Sequence, residues 1–245
     1  MGRFEGRVAL VTGSSSGIGE ATARAFAAEG AAVVVNSATS VEAGEAVAAA
    51  LPRAVYVQAD IADAASAEQL VARTVEHFGR LDVLVNNAGR TRVIAHDDLD
   101  AATEAVFREI FETNVFGTFN LTRLALPHLR ATGDGAVVNI TSVAGVRPTG
   151  SSIPYAASKA ALNHLTALLA NVTGPEVRVN AVAPGLIRTP WTAGWGPLHD
   201  AMATRVPAGR SGEPEDVAAT VVDVAAARYV TGQVVVVDGG LSLRG

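Results

Sequence analysis

The 245 residues are enough for one large α/β domain and few for two. Apolar residues make up 49% and charged residues 18%, which favours a sizeable core over disorder, while a net charge of −5 without any basic run argues against nucleic acid as a partner. There is no cysteine, which excludes disulfides, thiol nucleophiles and Cys-ligated metals, and the five histidines (His77, His96, His128, His164, His199) show no metal-ligand spacing, so no metal site is expected. Met1 to Gly6 is polar and runs straight into an apolar segment. No window holds the roughly 18 unbroken apolar residues of a membrane span, and no signal peptide is recognisable, so a cytoplasmic protein with no membrane partner is expected.

The chain then alternates strand and helix. Strands are expected at Arg7–Thr12, Ala32–Asn36, Val55–Ala59, Leu81–Asn86, Ala136–Thr141, Val177–Val182 and Gln233–Val237. Most are unbroken Val, Ile, Leu and Ala runs, the pattern of parallel strands covered on both faces. Helices are expected between them. Gly17–Glu29 stops at Gly30, and Ser40–Leu51 ends before Pro52. Ser66–Phe78 opens on a Ser66/Gln69 capping box and stops at Gly79. Ala101–Arg130 reads as one long helix or two joined ones. Pro154–Asn171 has proline in its first turn, and Pro214–Ala227 has Glu213, Glu215 and Asp216 at its positive end. This order predicts an α/β fold: a doubly wound parallel sheet in a single domain spanning 1–245. The irregular Pro184–Gly212 stretch follows the sixth strand, at the carboxyl edge where such sheets bind ligands, so a substrate lid is expected around 186–212; an ordinary surface loop is the alternative.

The first strand runs into Thr12-Gly13-Ser14-Ser15-Ser16-Gly17-Ile18-Gly19, within which a helix begins. Glycines let backbone approach a pyrophosphate, which then sits at a helix N-terminus with free N–H groups. The spacing is Gly-x-x-x-Gly-x-Gly and not the common Gly-x-Gly-x-x-Gly; with a strand before it and a helix after it, binding outweighs a ligand-free glycine turn. Asp60-Ile61 ends the third strand, where a carboxylate can accept from an adenine amino group or simply form a turn. Asn86-Asn87-Ala88-Gly89 ends the fourth, with small residues and amides that admit a cofactor. The second strand ends in Asn36-Ser37-Ala38-Thr39-Ser40 without the carboxylate that would bond an NAD ribose. Ser37, Thr39 and Ser40 offer hydroxyls to a phosphate instead, so NADP(H) is favoured over NAD(H).

Eighteen arginines accompany a single lysine, Lys159, and that lysine lies four residues after Tyr155, one of three tyrosines. The spacing puts both side chains on one helix face. Given so few lysines and tyrosines, chance produces the pair in roughly one such chain in a hundred. A free tyrosine has a pKa near ~10, and a neighbouring ammonium, with the positive nicotinamide of an oxidised cofactor, lowers it. Tyr155 can then exchange a proton with a carbonyl or alcohol oxygen as hydride moves. Ser142 ends the fifth strand, 13 positions before Tyr155, where its hydroxyl can hold the substrate oxygen; a turn serine is the alternative. Asn114 is a poor mid-helix residue and is assigned either a water on a proton path to Lys159 or a solvent-facing position.

Together these motifs resemble the short-chain dehydrogenase/reductase family, from Thr12-Gly13 to Asp238-Gly239-Gly240, and look nearest to 3-oxoacyl-carrier-protein reductases. The resemblance implies a seven-stranded Rossmann sheet flanked by helices, a homotetramer, and the catalytic tetrad Asn114, Ser142, Tyr155 and Lys159. It also implies cofactor contacts from Gly13, Ile18, Asp60, Ile61, Asn87 and the Pro184-Gly185-Leu186-Ile187-Arg188-Thr189 segment. With the residue-level reading, the expected cofactor set is Gly13, Ser15, Ser16, Gly17, Ile18, Gly19, Ser37, Thr39, Asp60, Ile61, Asn87, Ala88, Gly89, Tyr155, Lys159, Pro184, Gly185, Ile187 and Thr189. Two departures stand out. Many NADP-using relatives carry arginine where this chain has Ser16. The stretches Ala131–Asp134 and Asn171–Glu176 lack the basic residues with which carrier-protein reductases dock their carrier, although Arg130 is near. A free small-molecule carbonyl or alcohol is therefore the expected substrate; the alternatives are a carrier-dependent 3-oxoacyl reductase and a non-catalytic dinucleotide sensor. An epimerase or dehydratase would need a longer chain. Arg90, Arg92, Arg147 and Arg188 fall at the expected site edge, where they either favour an anionic substrate or are solvated loop charges.

Overall fold

The computed structural model describes residues 2–243. Seven strands form one sheet in the order β3-β2-β1-β4-β5-β6-β7, with every neighbouring pair parallel. They are β1 (Val8–Val11), β2 (Ala32–Ser37), β3 (Ala54–Gln58), β4 (Val83–Asn86), β5 (Gly135–Ile140), β6 (Val177–Pro184) and β7 (Val234–Val237). The five inner strands are buried throughout, which accounts for their lack of polar alternation; only the edge strands β3 and β7 are partly open.

Side chains alternate between two cores. Ala9, Val11, Val33, Val35, Val83 and Val85 face α1 (Gly17–Ala28) and α8 (Pro214–Ala226). Leu10, Val34, Leu84, Val137 and Val179 face α3 (Ala64–Phe78) and α5 (Thr118–Ala131). The remaining helices are α2 (Val41–Ala49), α4 (Glu104–Phe111), α6 (Ile153–Thr173) and α7 (Gly196–Arg205). β1 lies between β2 and β4, so the chain reverses its direction of travel across the sheet there. The carboxyl ends of β1 and β4 flank the resulting crevice.

Beyond shifts of one or two residues at element ends such as those of β4, β6 and α6, three differences from the sequence reading are informative. Helix α3 begins two residues early, at Ala64, because Asp63 caps it by accepting from the Ser66 amide at 2.7 Å; Ser66 instead accepts from the Asp60 amide. The long 101–130 helix is divided by a π-helical turn, Glu112–Gly117, between α4 and α5. The 186–212 segment contains a ten-residue helix, α7, and a short 3₁₀ turn, Pro190–Thr192, that its composition concealed. It is pinched at its base. Ile187 and Gly212 bridge in parallel, with Arg188 N–H donating to Gly212 O at 2.9 Å and Gly212 N–H to Leu186 O at 3.0 Å. Within it, buried His199 joins Thr192 Oγ1 (3.1 Å from Nε2) to Ser211 Oγ (2.9 Å from Nδ1).

Candidate active site

A cavity of about 1420 Å³ opens along the carboxyl ends of the strands, larger than most single-ligand pockets. One end is the turn between β1 and α1. Gly13 has φ +60°, and a Cβ there would lie 2.9 Å from Ala88 Cα. A Cβ on Gly19 would run into the Gly13 carbonyl and the Asn87 amide. The loop is tied down from both sides. Asn87 Nδ2 donates to Thr12 O and Gly13 O, while Thr12 Oγ1 accepts from the Asn87 and Ala88 amides. Asn36 Oδ1 accepts from the Gly13 amide, and Asn36 Nδ2 donates to Val57 O and Ala59 O. Ser16 occupies the N-cap position of α1 without a side-chain cap, so the free N–H groups of that helix end face the cavity. A dinucleotide fits this end: a glycine cradle admits it, and an uncapped helix terminus can meet its phosphates.

The other end carries the hydroxyl and ammonium groups. Ser152 Oγ caps α6 by accepting from the Tyr155 amide, which puts Tyr155 in the first turn and Lys159 one turn on. Ser142 follows β5, accepts from the Ala144 amide at 3.1 Å and lines the cavity with Tyr155. Lys159 Nζ is buried, donates to Ile140 O at 2.8 Å and lies 5.7 Å from the Tyr155 ring centroid. Burial pushes the Tyr155 hydroxyl up to about 12, with the neighbouring Ser142 hydroxyl pulling the other way. Burial alone draws the Lys159 ammonium down to about 8. Without a cofactor, desolvation dominates at the phenol, and one of the three Lys159 Nζ donors is engaged by the Ile140 carbonyl.

Most of the expected site residues line the cavity together; Ser15 and Asn114 do not. Asn114 is wholly buried in the π-helical turn. Its Oδ1 accepts from the Arg90 amide at 2.7 Å, and its Nδ2 donates to Arg90 O and Ser158 Oγ. It does not face solvent, and both amide protons are committed. A Cβ placed on Gly89 would lie 3.4 Å from Asn114 Oδ1 and 3.6 Å from Lys159 Nζ, so the missing side chain leaves a small space between the two. Ser37 lines the cavity, but its hydroxyl donates to Ser40 O and hydrogen-bonds Tyr56 at 2.8 Å, which removes its proton from any phosphate.

A family profile described as enoyl-(acyl carrier protein) reductase matches residues 13–242. A solved short-chain dehydrogenase/reductase from Brucella melitensis, described as a glucose/ribitol dehydrogenase, superposes with a TM-score of 0.92 at 33% identity, covering 98% of this chain and 99% of that one. This chain belongs to the short-chain dehydrogenase/reductase family. Its curated relatives include ketoacyl reductase 2 of the granaticin polyketide synthase of Streptomyces violaceoruber, 58% identical with 98% of this chain and 97% of the relative covered. A 3-oxoacyl-(acyl-carrier-protein) reductase of Thermotoga maritima is 38% identical, with 98% and 99% covered. As a short-chain dehydrogenase/reductase the protein is an oxidoreductase that moves hydride between a nicotinamide cofactor and a carbonyl or alcohol.

In this dehydrogenase/reductase the cavity is also lined by residues that no motif marked: Ile94, His96, both tryptophans (Trp191 and Trp195), Leu198, Met202 and Arg205. They come from the segment after β6 and from the loop after β4, and only their place after those strands hinted at them. Of the arginines expected at the edge, Arg90 and Arg92 both pair with Glu109, and Arg188 faces Glu213 at 3.6 Å. Arg147 lines the cavity without a carboxylate partner.

Proposed function

We propose that this short-chain dehydrogenase/reductase interconverts a small-molecule ketone and its secondary alcohol with NADP(H), Tyr155 acting as the acid/base. The observation that carries the reading is that Tyr155, Ser142 and Lys159 line one end of a cavity whose other end is the uncapped N-terminus of α1. The bound nicotinamide supplies or accepts the hydride. In reduction the substrate oxygen is held by the hydroxyls of Ser142 and Tyr155. Tyr155, with its proton retained to about pH 12 in the protein alone, is an acid still strong enough for a developing alkoxide. Lys159, near about 8, is mostly charged at neutral pH and close enough to its titration point to pass a proton onward. The space between Asn114 Oδ1 and Lys159 Nζ suits one water on that path.

The cofactor contacts would come from Gly13, Ser16, Gly17, Ile18 and Gly19 at the phosphates, Asp60 and Ile61 beside the adenine, and Asn87 to Gly89 with Pro184 to Thr189 along the nicotinamide half. NADP is favoured by the end of β2, where Thr39 and Ser40 line the cavity with unengaged hydroxyls, Ser40 leaves the N-terminus of α2 uncapped, and no carboxylate opposes a phosphate. The protein is read as a cytoplasmic homotetramer. No helix among the described residues is long and apolar enough to cross a membrane, and Phe116, Phe119, Leu168 and Val172 stand exposed on the π-helical turn, α5 and α6.

The name of the granaticin relative favours a second reading, a ketoreductase of carrier-bound chains. Against it, the two helix-end stretches lack basic residues, and neighbouring Arg130 donates to Val172 O. Comparing one 3-oxoacyl chain as a simple thioester and on a carrier protein separates the two. The cofactor reading is tested by titrating the protein with NADPH and NADH under fluorescence. NADPH is expected to bind tenfold or more tightly, about 1.4 kcal/mol; tighter NADH would reverse the assignment, and binding of neither would remove the phosphate-loop reading.

A further inference from the structure

Among the described residues, every arginine except Arg147 and Arg205 has a partner for its guanidinium. Most face a carboxylate; Arg53 stacks over the Phe78 ring, Arg123 bonds the Asn120 amide and Arg130 the Val172 carbonyl. The two without partners both line the one large cavity, on its substrate half: Arg147 in the loop after β5, Arg205 in the last turn of α7. A third lining arginine, Arg90, shares the single carboxylate of Glu109 with Arg92, leaving a further positive charge at the rim. Among the described residues, the only carboxylate in the lining is Asp60, beyond β3 at the opposite end; Asp97, Asp98 and Asp100, just after His96, are not part of it. In a chain of net charge −5, the substrate entrance is thus locally cationic.

We infer that Arg147 and Arg205 form an anion subsite, so that the substrate carries a carboxylate or phosphate besides its reacting ketone or alcohol. A guanidinium presents paired donors that match either group, and among the described residues neither of these two has a carboxylate to neutralise it. Apolar Ile94, Trp191, Trp195 and Met202 line the same cavity, so the body of the substrate is apolar and the charge is at its end. Cofactor phosphates are served elsewhere, by the β1–α1 turn and the end of β2, on the other side of the sheet reversal. The subsite rests on the hydride-transfer reading of the same cavity and narrows its substrate class.

Both tryptophans of the chain line the cavity, so their fluorescence reports its occupancy whether or not turnover follows. The protein saturated with oxidised cofactor is titrated with 6-oxoheptanoate, its methyl ester and 6-oxoheptyl phosphate. At low salt the wild type is expected to bind an anion roughly tenfold more tightly than the ester, and about 0.5 M salt should erode most of that preference. Arg147→Gln and Arg205→Gln should each cut the anion-to-ester affinity ratio about fivefold. The ratio between acid and phosphate then tells which anion the pair prefers. Equal affinity for both anions and the ester in the wild type, or a ratio unchanged in both variants, would overturn the subsite. Oxidation of NADPH with the same ketones tests the parent reading separately: turnover without anion preference removes only the subsite, whereas anion preference without turnover removes the parent reading and keeps the subsite as a binding site.

Discussion

Burial holds the Lys159 ammonium near about 8, well under its ordinary value of 10.5, because a charge surrounded by protein gives up its water for a single carbonyl. The folded state therefore binds this proton less tightly than the unfolded chain. Below pH 8 the lysine opposes folding in full, and the loss is recovered as pH rises from 8 towards 10.5. Lys159→Met is accordingly expected to inactivate the enzyme yet raise its stability by about 1–3 kcal/mol at pH 7, with the gain gone by about pH 10.5; urea denaturation at both pH values would show it, and a destabilised variant at pH 7 would contradict the burial argument. Tyr155→Phe should lower turnover by at least about 10³-fold while cofactor affinity stays within a few fold, since only the hydroxyl that holds and protonates the substrate oxygen is lost. Lys159→Arg keeps the charge but should fail as well, because arginine does not release a proton near neutral pH. Near-normal turnover in either variant would remove the assigned role.

At the level of elements, what could be read from the sequence was whatever depended on local spacing. Buried strands announce themselves as apolar runs, the glycine loop by the strand and helix around it, and Tyr155–Lys159 by one helical turn. Cap choice was less legible: Asp63 and Ser66 are both good caps three residues apart, and the backbone selected the earlier one. Asp63→Ala should cost about 1 kcal/mol, seen as a lowered thermal midpoint. A larger loss from Ser66→Ala would point back to the later start. The π-helical turn at Glu112–Gly117 leaves no mark in periodicity, since one extra residue per turn is invisible to a helix pattern. Asn114 stood out as a misplaced polar residue, and its saturated amide explains why it is tolerated there. Arg147 and Arg205 were illegible as a pair, because their shared property is a missing partner and partners are tertiary facts.

Across the whole molecule, a seven-stranded sheet of this order leaves apolar side chains on its outer helices. Phe116, at 57% exposure, and Val172, at 65%, mark such a face. Light scattering is expected to report four chains of 25.0 kDa, and Phe116→Asp to shift the population towards smaller species; a monomeric wild type would leave that face without its proposed cover. The bridge between Ile187 and Gly212 has a broader consequence. The residues between them also touch the domain where Thr189 lies against Gly17 and where the Ala208 N–H donates to Gly239 O, and closing a loop costs only slightly more as the loop grows. Length can therefore change between those two ties with the sheet, the glycine cradle and the tyrosine left in place, which would make the intervening stretch a separable, evolvable module.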